Sequence, residues 1–136
     1  MVVRSLEADK ETFRPKGDDE EVLGPEVPCL SAIGAVMYLA NCNRPDIAFA
    51  VNLLAGYNAA PTKRHWVGVK TILRYLQGTQ DLGLWFPKNQ APTMVIYVDA
   101  GYISDPHNAR SQIGFVFIYG GAAISWRSVK QTLVAT

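Results

Sequence analysis

Residues 114–127 read Gly114-Phe115-Val116-Phe117-Ile118-Tyr119-Gly120-Gly121-Ala122-Ala123-Ile124-Ser125-Trp126-Arg127. Two runs rich in aromatic and β-branched residues flank Gly120-Gly121, and both glycines accept a positive φ. The pattern predicts two antiparallel strands joined by a tight hairpin. Upstream, Met94-Val95-Ile96-Tyr97-Val98 is a continuous apolar run, as a strand buried on both faces would show. Leu82-Gly83-Leu84-Trp85-Phe86 reads as a short strand leading into this unit. The Met94–Val98 run and the two hairpin strands form a three-stranded antiparallel meander.

Before Gly78 the apolar period is helical. Leu30, Ile33 and Met37 recur at i, i+3 and i+7, with Val36 and Ala40 widening the stripe. The break at Asn41–Pro45 ends that helix, and Pro45 suits the first turn of the next. The second helix buries Ile47, Val51 and Leu54, with Phe49 and Leu53 beside them, and ends near Gly56. Thr62 caps a third helix that carries Trp66, Val69, Leu73 and Leu76 on one face and closes at Gly78. The class is therefore α+β. An acidic flexible linker over 1–28 precedes a helical segment over 29–79, and the strands occupy 80–136.

Residues 1–28 hold eight acids against four bases, and the remaining 108 hold four acids against nine bases, which together make the net charge of +1. A basic body behind an acidic lead is compatible with a polyanionic partner. Hydrophobic content of 49% and charged content of 18% exclude a disordered chain. No apolar run approaches the roughly 20 residues that cross a bilayer, and Met1-Val2-Val3-Arg4 opens no secretory signal. An intracellular protein, cytoplasmic or nuclear and without a membrane, is expected. Cys29 and Cys42 match no zinc-ligand spacing and read as small buried side chains on helices.

Asp99 is the most informative polar residue, because it sits at the exit of an apolar strand, where a carboxylate is costly unless paired or metal-bound. A hard cation such as Mg²⁺ takes oxygen ligands of this kind, whereas an Asp after a strand also serves as a turn or cap. Ser104-Asp105-Pro106-His107 reads as a turn, and His65 and His107 as solvated. Lys63, Arg64, Lys70 and Arg74 cluster on the third helix, a face suited to phosphates or simply to water. No glycine-rich phosphate loop, G-x-S-x-G or H-E-x-x-H motif is present.

Leu30–Ala40 with Arg44-Pro45-Asp46-Ile47-Ala48-Phe49-Ala50-Val51 resembles a block of copia-type retrotransposon Pol polyproteins. Pro61-Thr62, His65-Trp66 and Leu73–Thr79 resemble the block that follows it. Tyr97–Tyr102, Arg110–Gly114 and Ile124–Gln131 resemble the opening of that family's RNase H domain. The resemblance covers nearly the whole chain, in order and spacing. It implies that 30–79 follow the reverse transcriptase palm as a thumb or connection element. It also implies that Asp99 is the first RNase H carboxylate, a catalytic Mg²⁺ ligand, and that the partners are an RNA–DNA hybrid and the remaining Pol segments. Gly56, Val98 and Cys29 depart from the family pattern.

The family's next acid follows the stretch ending at Val134-Ala135-Thr136, and one carboxylate does not hold two metal ions. The resemblance thus implies a reverse transcriptase/RNase H fragment that is inactive as these 136 residues alone and does not bind Mg²⁺ tightly. Two other readings stand beside it: a non-catalytic nucleic-acid-binding module, and a non-functional remnant of a dead element.

Overall fold

The computed structural model describes residues 14–89, 91–105 and 110–131, with the side chains of 102–105 and of Arg110 excepted. Helix α1 (Cys29–Cys42) leads through a 3₁₀ turn (Pro45–Ile47) into α2 (Ala48–Ala55) and then α3 (Lys63–Gly78). Strands β1 (Met94–Asp105), β2 (Arg110–Tyr119) and β3 (Ala122–Lys130) follow as one antiparallel sheet in the order β1-β2-β3. The architecture is the expected α+β, helices first and meander second.

The hairpin forms as its glycines require, with φ of 53° at Gly120 and 81° at Gly121. Both values lie where a Cβ is strained. Pairing then slips by one residue. Phe117 faces Ser125 and Ile118 faces Ala123, so Ile124 is an extra residue that bulges β3.

The helical core is small and apolar, with Ile33, Val36, Val51, Leu54, Val69 and Ile72 each at most 5% exposed. Burying such a side chain contributes about 1.5–3 kcal/mol, and this is what holds three short helices together. Two expected stripes are rotated from their predicted positions. On α1 the buried set is Cys29, Ile33, Val36 and Ala40, while Leu30 is 63% exposed. On α3 it is His65, Gly68, Val69 and Ile72, and Leu73 points outward. Several adjacent stripes on each helix are apolar enough to serve, and only contact with the other helices selects one. Cys29 is buried as expected, Cys42 is exposed, and both are free thiols.

The strands correct two further expectations. Leu82–Phe86 forms no strand, and Trp85 in it is 80% exposed. β1 is an edge strand that pairs with β2 alone, and Ile96 and Val98 are 51% and 68% exposed. Its apolar run therefore does not signify burial on both faces among the described residues. Gly78 ends α3 without a left-handed cap: Thr79 takes the cap at φ −133°, and its hydroxyl donates to the Tyr75 carbonyl at 2.7 Å.

The sheet meets the helices through its β2–β3 side. The Trp126 indole N–H donates to the Ala40 carbonyl at 2.6 Å, and the Gln112 amide donates to Asn52 Oδ1 at 3.0 Å and Ser128 Oγ at 2.8 Å. Strand alternation places Trp126, Ser128 and Gln112 on the helix-facing side. In the pairing register Asp99 lies opposite Gly114, itself opposite Ser128, so Asp99 falls on that same side.

Candidate carboxylate site and basic helix face

Asp99 stands exposed on β1, at the edge of a cleft of about 980 Å³ between the sheet and the start of α2. Phe49, Tyr97 and Trp126 give this cleft aromatic walls, and Gly114 leaves its floor open beside the carboxylate. Asp46 lines the same cleft. Its carboxylate is already committed, because Arg44 Nη2 donates to it at 2.7 Å and Nε at 3.0 Å. Hydrogen bonding from Arg44 is the main reason its pKa is lowered, against a smaller opposing effect of burial.

A hard divalent cation takes at least six oxygen ligands and is held by carboxylates. Among the described residues no three His, Cys, Asp or Glu side chains gather to hold a metal ion. Asp99 alone does not make a magnesium site, and Asp46 is spoken for by Arg44. The cleft as it stands offers one free carboxylate, aromatic surface and the edge of β1. Asp105 is placed in β1, whereas the turn residues Pro106 and His107 lie outside the described residues.

The four bases expected to form one cluster divide into two environments. At 100° per residue, Lys63, Lys70 and Arg74 fall within an arc of about 40° and form a stripe roughly 16 Å long. They lie opposite the buried stripe of α3. Arg64 is turned away from them. Its Nη2 donates to Glu20 Oε2 at 2.8 Å and to the Arg14 carbonyl at 3.3 Å, so the acidic lead occupies it.

His65 is not solvated, as its polar neighbours suggested, but 1% exposed. It occupies the position that Glu or Gln holds in a capping box: the Thr62 backbone N–H donates to Nδ1 at 3.0 Å. The ring stacks on Tyr57, with centroids 4.6 Å apart and planes 8° from parallel. A Thr three residues before a His at a helix start was the available signal, and it is a weak one.

Arg44 was also missed as a structural element. It is 7% exposed and, besides gripping Asp46, donates to the Thr79 carbonyl at 3.1 Å and to Thr79 Oγ1 at 2.7 Å. Its guanidinium also lies 5.6 Å from the centre of the Tyr75 ring. The arginine ties the α1–α2 junction to the end of α3. Arg44-Pro45-Asp46 signalled a helix restart in the sequence but not a partner 35 residues away.

Among the described residues no helix is long and apolar enough to cross a membrane. No family model matches the chain, and no solved structure matches it. The chain is 45% identical over 109 residues to the secreted RxLR effector protein 161 of Plasmopara viticola, an alignment covering 80% of this chain and 77% of that protein. It is 44% identical over 110 residues to the retrovirus-related Pol polyprotein from transposon TNT 1-94 of Nicotiana tabacum, covering 81% of this chain and 8% of the polyprotein. The Pol polyprotein from transposon RE2 of Arabidopsis thaliana is 39% identical over 99 residues, covering 73% of this chain and 7% of that relative. The chain thus spans less than a tenth of the length of these two Pol polyproteins. By these alignments the chain's homologues are retrotransposon Pol polyproteins, and the chain is similar to a fragment of one.

Proposed function

We propose that this fragment joins the end of a reverse transcriptase to the first strands of an RNase H domain. In an intact Pol polyprotein it takes part in cleaving the RNA strand of RNA–DNA hybrids, inside the cell, in cytoplasm or nucleus. The observation that carries this reading is Asp99, an exposed carboxylate on the first strand of the meander, at the edge of an open cleft. Asp99 would be one ligand of a magnesium ion whose other carboxylates come from further Pol residues. By themselves the 136 residues are expected neither to bind Mg²⁺ tightly nor to cut.

The test is cleavage of a labelled RNA–DNA hybrid in Mg²⁺, comparing this chain with one extended by the residues that follow in a Pol relative. Only the extended chain is expected to cut, and Asp99→Asn in that extended chain is expected to abolish cutting. Cutting by the 136 residues alone would overturn the claim of incompleteness. Undiminished cutting by the Asp99→Asn extended chain would remove Asp99 from the site.

A second reading is favoured by the stripe of Lys63, Lys70 and Arg74: this helix face grips backbone phosphates without reading sequence. Binding to duplexes of unrelated sequence is then expected to be alike and to fall steeply with salt. Lys70→Ala and Arg74→Ala should each reduce the slope of log K against log salt by about 1. A slope unchanged in both variants, measured by fluorescence anisotropy, removes the stripe from the interface.

A further inference from the structure

The segment from Arg14 to Leu23 crosses the N-terminal end of α3 and is tied down at several points. The Leu23 N–H donates to the Pro61 carbonyl at 2.8 Å, and Val22 pairs with Thr62 as an isolated antiparallel bridge. Glu20 reaches Arg64 at 2.8 Å and Arg14 at 3.6 Å, and accepts the Gly17 N–H at 3.1 Å. At the centre of these contacts is His65, whose Nε2 lies 3.1 Å from the Arg14 carbonyl oxygen.

The partners dictate the state of the ring. A backbone N–H only donates, so Nδ1, facing the Thr62 N–H, accepts. A carbonyl only accepts, so Nε2 carries the proton and donates to Arg14. His65 is therefore neutral, with both nitrogens used and the ring sealed between Tyr57 and the crossing segment.

We propose that residues 14–23 form a strap latched over α3 by neutral His65, and that protonation of this histidine releases the strap. A proton on Nδ1 would set two donors face to face and leave the Thr62 N–H without its acceptor. It would also place a cation in a site 1% exposed, next to Arg64. Two contacts oppose release: the Nε2–H bond to the Arg14 carbonyl strengthens on a charged ring, and Thr62 Oγ1, 3.2 Å from Nδ1, accepts from a protonated Nδ1. Glu20 is the nearest counter-charge and is already engaged by Arg64 and the Gly17 N–H. Tyr57, the other group packed on the ring, contributes no charge while its phenol is protonated. A hydrated imidazolium needs the cover lifted, and the strap is the part of the cover held by hydrogen bonds and surface ion pairs.

Burial is the largest cause lowering the His65 pKa, with Arg64 acting in the same direction and the Arg14 carbonyl and Glu20 opposing. The sign follows from this. At pH below about 6.5 the open state takes up a proton that the latched state refuses, so the latch weakens as pH falls. Release would free Arg64 to join Lys63 on the helix surface. That consequence rests on the phosphate-gripping reading, whereas the latch itself does not.

Amide hydrogen exchange tests the latch. Between pH 7.5 and pH 5.0, corrected for intrinsic exchange, protection of the Leu23 N–H is expected to fall about tenfold or more, while Val69 inside α3 holds. His65→Gln keeps an acceptor for Thr62 but does not titrate, so its Leu23 protection should be flat across that range. A flat profile in the unmodified chain overturns the proposal. So does an equal fall in His65→Gln, which would assign the change to Glu20 or another group. The loss of Leu23 protection is also expected to set in as pH drops through about 6.5 and to level off as the His65 ring itself takes up its proton, followed by NMR. A fall that continues undiminished well below that ring titration overturns the proposal without recourse to any variant.

Discussion

Arg44→Ala is expected to lower the unfolding free energy by about 3 kcal/mol and the midpoint temperature by roughly 10 °C. Arg44 is 7% exposed and makes hydrogen bonds to Asp46, to the Thr79 carbonyl and to Thr79 Oγ1. Deleting it removes all of these and leaves the Asp46 carboxylate, 32% exposed, without its counter-ion. That partial exposure limits the cost to the lower part of the range for a broken buried pair. Arg44→Lys keeps the charge but not the planar fork, and is expected to recover only a minor part of the loss. The measurement is urea unfolding followed by tryptophan fluorescence. A loss below about 0.5 kcal/mol would show that the clamp contributes no more than an ordinary surface pair.

The same pair gives the folded state an acid-sensitive component. The Asp46 pKa is lowered in the fold, chiefly by hydrogen bonding from Arg44. Its contribution is therefore complete above the ordinary aspartate pKa of about 3.9 and lost as pH falls through the lower folded value. In Arg44→Ala most of that acid sensitivity should disappear.

Leu54→Ala is expected to cost about 2–5 kcal/mol. Leu54 is 0% exposed, in a core whose other members come from all three helices, so the cavity has few ways to collapse. The matched control is Leu30→Ala, expected within about 0.5 kcal/mol because Leu30 is 63% exposed. The contrast tests the rotated stripe of α1 as well as the core. Comparable losses in both variants, read by the same urea titration, would place Leu30 in the core and restore the stripe expected from periodicity.

Local signals carried the outline of this molecule. Pro45 and Thr62 marked helix starts because a fixed φ and a side-chain acceptor act within one turn of where they stand. Gly120-Gly121 specified a hairpin because few other residues tolerate two successive positive φ angles. The residues of the α1–α2 and α3 blocks also pointed to retrotransposon Pol proteins, and the alignments agree at that level.

What the chain alone left undecided depends on neighbours far away in sequence. Which of several apolar stripes on α1 and α3 faces inward is settled by contacts among helices. Exposure of the β1 side chains follows from which elements pack over its faces, a matter of how distant segments meet rather than of composition. His65 read as a polar residue destined for water and Arg44 only as part of a helix break, because nothing beside them reveals a carbonyl 51 residues upstream or a threonine 35 residues downstream. Periodicity and turn chemistry act over a few residues and so determined the elements and their order. Burial, hydrogen-bond partners and protonation state depend on where the folded chain brings distant groups together, and only the tertiary structure decided them.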